Sequence, residues 1–148
     1  VDGKYLQITD RKKEIFKLSL GKYVAPQVIE NRLKESSYIE NCIVIGENEK
    51  FASAIIIPDM SRIHFWAAKH KITYSDNQEL VKNPKVIAKI HKEVEKVNDT
   101  LAPHEKIKRE RVILAEWSPT NGLLSPTLKL KRVKIQAKHA DIIKEIYK

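Results

Sequence analysis

The chain has 148 residues, of which 28 are Lys or Arg and 19 are Asp or Glu, giving a formal net charge of +9. That length suits one domain with a hydrophobic core, and a content of 42% hydrophobic and 32% charged residues is that of a globular fold. No apolar run approaches the roughly 18–20 residues a membrane-spanning helix needs, and a single cysteine, Cys42, excludes a disulfide framework and a cysteine zinc site. The opening Val1-Asp2-Gly3-Lys4 has neither an initiator Met nor the basic-then-apolar pattern of a signal peptide, so a piece of a longer chain is expected. The positive charge favours anionic partners, whether nucleic acid, anionic lipid, nucleotide or phosphorylated cofactor, without choosing among them.

Two β-prone runs come first, Tyr5–Thr9 and Ile15–Leu18, with the charged connection Asp10–Glu14 between them; a hairpin or closely spaced strand pair is expected. Ala25-Pro26 then opens a helix, because proline at the first helical position lacks an N–H that would be unpaired anyway. Val28, Ile29 and Leu33 form its apolar stripe. Cys42–Ile45 and Ala54–Ile57 are short, β-branched apolar runs, hence buried strands, and the polar Gly46–Lys50 between them predicts an antiparallel hairpin loop. Within the first of these Cys42 reads as a core thiol.

Asp59 or Ser61 can cap a following helix that carries Ile63, Trp66 and Ala67 on one side. Asn83-Pro84 begins the clearest helix, marked by Ile87, Ile90, Val94, Val97 and Leu101 and stopped by Pro103. Val112–Leu114 predicts a third core strand, Trp117–Gly122 a loop, and Val133, Ala137, Ala140, Ile143 and Tyr147 a terminal amphipathic helix. The expected architecture is α+β and a single domain over 1–148: a small sheet of about three core strands flanked by helices, preceded by a two-stranded hairpin.

Common catalytic signatures are missing. The sequence holds no phosphate-binding glycine loop, no paired-glycine dinucleotide fingerprint and no Gly-x-Ser-x-Gly elbow. His64, His70, His91, His104 and His139 lack the spacing of a helical metal pair and read as ordinary solvated or snorkelling side chains, so no metal site is expected. The lysines are spread along the chain, with few aromatics to stack bases, which argues for solvated helix faces and against a nucleic-acid groove.

The informative segments are Asp10-Arg11-Lys12-Lys13, Ser19-Leu20-Gly21-Lys22-Tyr23-Val24-Ala25-Pro26 and Pro126-Thr127-Leu128-Lys129-Leu130-Lys131-Arg132. With Tyr38-Ile39-Glu40, Val44-Ile45-Gly46 and Ile57-Pro58-Asp59 between them, in this order, they resemble the carboxy-terminal domain of adenylate-forming acyl-CoA synthetases, and specifically the long-chain fatty acid branch. The resemblance implies a mobile domain, with residues 1–20 as hairpin and hinge and 21–148 as the body. This domain closes on an amino-terminal adenylation domain that the chain lacks.

Such an enzyme joins a fatty acid to ATP, releasing pyrophosphate, and then transfers the acyl group from AMP to coenzyme A. ATP and magnesium would be bound mainly by the absent domain, coenzyme A would be a substrate, and the isolated fragment would be inactive. The parent enzyme is expected in the cytoplasm, with possible peripheral membrane association.

By the same resemblance Lys129 matches the mobile catalytic lysine, Lys13 the hinge, Arg11 a nucleotide-binding residue, and Ser19, Leu20 and Gly21 the segment turned toward coenzyme A. Two positions depart from the pattern: Leu20 stands where the family has a second glycine, and Leu128 where the wider superfamily has glycine before the catalytic lysine. The second departure leaves Lys129 and Lys131 as alternatives, and the matching of Thr127 and Arg132 favours Lys129. Two rival readings are another adenylate-forming ligase, with an aryl or amino acid substrate, and a basic module for nucleic acid or anionic membrane.

Overall fold

The computed structural model describes residues 14–148. The run Tyr5–Thr9 and the positions Arg11 and Lys13 lie outside the described residues. A two-stranded antiparallel hairpin precedes the body as expected, but its strands are β1 (Phe16–Lys17) and β2 (Tyr23–Val24), with Phe16 opposite Val24. No strand is expected at Tyr23-Val24 from the sequence. The turn between the strands contains Gly21 at φ +95°, a left-handed conformation open to glycine at no steric cost. The helix α1 (Pro26–Leu33) follows with Pro26 at its start.

The body is a three-stranded sheet in the order β3 (Ile39–Ile45), β4 (Ala52–Pro58), β5 (Ile107–Val112). β3 and β4 are antiparallel through the Gly46–Lys50 connection, and β5 adds parallel to β4. A parallel neighbour needs a long crossover. It is supplied by α2 (Met60–Lys69), α3 (Asn77–Lys82) and α4 (Pro84–Asn98). Asp59 Oδ1 caps α2 by accepting from the Arg62 N–H, and Asn83 Oδ1 caps α4 by accepting from the Lys85 N–H.

The sheet separates two apolar layers. Cys42, Val44, Ala54 and Ile56 face α1 to α4, meeting Ile29, Leu33, Ile63, Ala67, Val86, Ile90 and Val94. Ile43, Ile45, Ile55 and Ile57 face the other way, onto Trp117, Leu123, Leu124, Ile135 and Ile146. β4 is buried along its whole length, which explains why it reads as a continuous apolar run.

The structure departs from expectation at four points. The third strand starts at Ile107, not Val112; its charged Lys108 to Arg111 sit on an edge strand with one solvated side, and that hides it from an apolar-run search. The long helix stops at Asn98, ahead of Pro103, and Ile87 is exposed while Val86 is buried. The sequence carries no expectation for α3, which Asp76 caps by accepting from the Glu79 N–H. The carboxy-terminal helix is two helices, α5 (Arg132–Lys138) and α6 (Ala140–Ile146), and Val133 is 83% exposed. Their buried face runs through Ile135, His139 and Ile146, so a histidine stands where an apolar residue was sought.

Candidate functional site

The segment from Trp117 to Lys131 crosses the outer face of the sheet and carries Lys129. Its first turn is organised by Asn121, whose Oδ1 accepts from the N–H groups of Ser118 and Leu123 while its Nδ2 donates to the Glu116 carbonyl. Leu123 and Leu124 are buried, and Leu124 pairs with Leu130 in an isolated antiparallel bridge. Between these two anchors lies a tight turn. The Leu128 N–H donates to the Ser125 carbonyl at 2.8 Å, and the Ser125 N–H donates to the Lys129 carbonyl at 2.8 Å. The Lys129 N–H donates to Ser125 Oγ at 3.0 Å.

This turn puts Leu128 at φ +68°. A left-handed conformation costs an L-residue about 1–2 kcal/mol that glycine does not incur. Leu128 is 64% exposed, so little burial offsets that cost. The residue before Lys129 therefore holds a glycine-type backbone conformation without being glycine. Lys131 sits differently. Its N–H donates to the Leu123 carbonyl and its carbonyl accepts from Ile135 N–H, so its backbone forms the entry to α5. Both lysine side chains are exposed.

Directly after Lys131, Arg132 reaches back across the body. Its Nη1 and Nη2 donate to the two carboxylate oxygens of Glu30 in α1 at 2.7 and 2.6 Å. Its Nε donates to Glu14 Oε1 at 2.9 Å. Glu30 is 2% exposed and also accepts from the Val44 N–H of β3 at 2.7 Å. Burial opposes the charge on Arg132, but the hydrogen bonds and charges of Glu30, then Glu14, outweigh it and hold the guanidinium above its ordinary value. Burial pushes the Glu30 carboxyl up, with Arg132 and the Val44 N–H acting against that. One bidentate pair thus ties α1, β3 and the start of α5 together. A cleft of about 390 Å³ lies beside it, lined by Gln27, Asn31, Lys34, Lys129 and the Glu30–Arg132 pair.

The hairpin segment Ser19–Gly21 is exposed, with Leu20 at 60%. A different part of the body holds it: the Ser19 N–H donates to the Glu49 carbonyl, and the Asn48 N–H to the Lys17 carbonyl. A side chain at Gly21 would meet open space, so the backbone conformation alone selects glycine there. Gly46 differs, since a Cβ would lie 3.0 Å from the Phe51 carbonyl oxygen and 3.2 Å from the Phe16 ring. Close approach of the hairpin to the β3–β4 loop depends on that glycine.

The resemblance names Lys129 and the Ser19–Gly21 segment and uses Arg132 only to set the register, while Glu14, Glu30 and Asn121 carry no site expectation from the sequence. The available signal for Glu30 was a carboxylate set between Ile29 and Leu33, which an apolar count passes over. Cys42 is fully buried, and burial, reinforced by the Glu30 charge, pushes its thiol well above its ordinary value, as a core thiol requires. Among the described residues no group of three or more His, Cys, Asp and Glu is placed to hold a metal ion, and no helix is long and apolar enough to cross a membrane.

An α+β body with a lysine loop fixed at both ends and an exposed hairpin turn matches a known kind of domain. The chain belongs to the AMP-binding enzyme C-terminal domain family, whose pattern covers residues 13–148. Over 99% of its length it is 34% identical to the long chain acyl-CoA synthetase 6, peroxisomal, of Arabidopsis thaliana and 33% identical to the long-chain-fatty-acid–CoA ligase FadD15 of Mycobacterium tuberculosis. Over 96% it is 35% identical to the human long-chain-fatty-acid–CoA ligase 1. It spans only 21%, 24% and 21% of those proteins, respectively. The fold recurs in the adenylation domain of a carboxylate reductase from Mycobacterium chelonae, with a TM-score of 0.72 at 19% identity over 90% of this chain and 19% of that one.

Proposed function

We propose that the chain is the mobile carboxy-terminal domain of a long-chain fatty acid–CoA ligase and that Lys129 is its catalytic lysine for adenylation. The parent enzyme activates a fatty acid with ATP and then forms the thioester with coenzyme A. Support for the substrate class comes from the names of the relatives, which match along essentially the whole of this chain. ATP, its magnesium and the acyl chain belong to the amino-terminal adenylation domain, the partner this domain closes on. The 148-residue chain by itself is inactive, because it holds only the cation and not the groups that bind the reactants.

The observation that carries the assignment of Lys129 is the left-handed backbone at Leu128. The superfamily pattern has glycine before the catalytic lysine, and the turn here makes the glycine conformation at that position and no other in the Thr127–Lys131 run. Lys129 follows it on an exposed tip, whereas the Lys131 backbone is committed to starting α5. The chemistry suits a point charge on a fixed arm. A carboxylate and an α-phosphate repel as they approach, and charge grows on the phosphoryl oxygens; a preplaced cation in a closed site offsets both. On the same reading the exposed turn Ser19–Gly21 is presented to the pantetheine arm of coenzyme A after the domain rotates. Leu20 narrows that approach from the side while the open space over Gly21 leaves it clear.

The test is Lys129→Ala in the full-length ligase, with the two half-reactions assayed apart. Acyl-adenylate formation should fall about 10²–10³-fold, the loss seen when one transition-state donor is removed. Thioester formation from supplied acyl-adenylate should change little. Equal losses in both steps, or a loss produced by Lys131→Ala instead, would sink the assignment.

A further inference from the structure

We propose that Glu14 is a positioning residue for Lys129, acting through Arg132. The inference rests on the reading of Lys129 as the adenylation lysine and of Lys13 as the pivot. Glu14 is the residue after Lys13, and Arg132 is three residues after Lys129. Arg132 is the meeting point of both ends. Two of its nitrogens are fixed on the buried Glu30, which is itself held by the Val44 N–H of β3. The third, Nε, is left for Glu14. The guanidinium is planar and rigid, so fixing one edge on Glu30 fixes the direction in which Nε points. Glu14 is thereby clamped to the base of the lysine arm, 118 residues away in sequence.

The consequence is mechanical. A domain that rotates about one residue needs the chain to be stiff directly after it; otherwise the rotation spreads over several soft torsions and the arm arrives at a range of angles. The Glu14–Arg132 bond places that stiffness at the first residue past the pivot. It also joins the pivot to the arm through a single side chain, so that Lys129 is carried by the rotation with little slack. Only the Arg132–Glu30 part of this triad holds the fold together. Glu14 is 61% exposed and its ion pair adds little to stability. A weak pair at that point still matters to catalysis, because misplacing a reacting group by 1 Å costs about 10²-fold.

The experiment uses the full-length ligase with Glu14→Gln, Glu14→Asp, Lys129→Ala and the Glu14→Gln/Lys129→Ala double variant. Glu14→Gln should lower kcat for acyl-adenylate formation about fivefold, with KM for ATP and the thermal midpoint unchanged. Glu14→Asp should recover part of that loss. In the Lys129→Ala background Glu14→Gln should have no further effect on adenylation, because the arm it steadies no longer carries the cation. Unchanged adenylation in Glu14→Gln overturns the clamp and leaves the Lys129 assignment standing. A fully additive loss in the double variant also overturns it, since Glu14 would then act elsewhere. If Lys129→Ala alone adenylates normally, both the clamp and the reading beneath it fall.

Discussion

Leu128 shows how one residue can carry more information in its torsion than in its side chain. It is apolar yet exposed, it occupies the left-handed region, and it sits in a turn closed on both sides by Ser125. The turn, not the leucine, sets this geometry: Ser125 supplies backbone and hydroxyl partners, and Pro126 fixes its own φ at the second position of the turn. Leu128→Gly should therefore keep the loop and relieve its strain. Against the gain of about 1–2 kcal/mol stands the extra chain entropy of glycine in the unfolded state, roughly 0.5–1 kcal/mol, so the net expectation is neutral to slightly stabilising. Leu128→Val, whose β-branch is costly in this region, should lower the thermal midpoint and slow adenylation together. A thermal-melt series over the two variants checks the ordering Gly at or above wild type, with Val below it.

At the scale of elements, what the sequence made legible follows from period and punctuation. β3 and β4 were found because strands buried on both faces leave apolar runs, and α1, α2 and α4 because Pro26, Asp59 and Asn83-Pro84 mark their starts. β5 was displaced because an edge strand hides its period among charges, and Tyr23-Val24 is too short to announce itself. The segment Pro126–Arg132 carries the resemblance that nominates Lys129. Glu14, Glu30 and Arg132 were not read as a unit, because their partnership joins residues more than 100 positions apart and only the fold brings them together.

The helix break at His139 belongs here too, because a buried histidine defeats a search for an apolar stripe. The Trp117 Nε1–H donates to His139 Nε2 at 3.1 Å, which requires that nitrogen to be unprotonated. Burial, with the Lys138 charge adding to it, holds the imidazole below its ordinary value. The folded chain thus binds this proton less readily than the unfolded one. The stability His139 contributes is complete above about pH 6.5, the ordinary value, and is lost as the pH falls below it through the folded-state value. The thermal midpoint of the chain should drop between pH 7 and 5, and His139→Gln, which keeps an acceptor but does not titrate, should flatten that slope. An identical slope in the variant would assign the acid sensitivity to other groups.

For the whole molecule, the decisive property is that the lysine arm is anchored to the body at both ends. Leu124 and Leu130 root the loop in the core, and Arg132 roots α5 in α1 and β3. On the proposed reading an arm so anchored serves one half-reaction and leaves for the other by a turn of the body itself. That places the burden on the backbone at Lys13, and it makes a backbone substitution the sharpest test. Proline there fixes φ near −65° and biases Lys12 toward extended conformations, removing the freedom a pivot needs while leaving every side chain of the body in place. In the full-length enzyme Lys13→Pro should leave acyl-adenylate formation within a few-fold of wild type. Thioester formation from supplied acyl-adenylate should fall by about 10²-fold, because the Ser19–Gly21 turn no longer reaches its position against coenzyme A. Lys13→Ala separates backbone from charge: alanine can follow the same change in φ and ψ, so both half-reactions should persist. Normal thioester formation in Lys13→Pro would locate the pivot elsewhere. A loss shared by Lys13→Ala would show that the lysine acts through its charge.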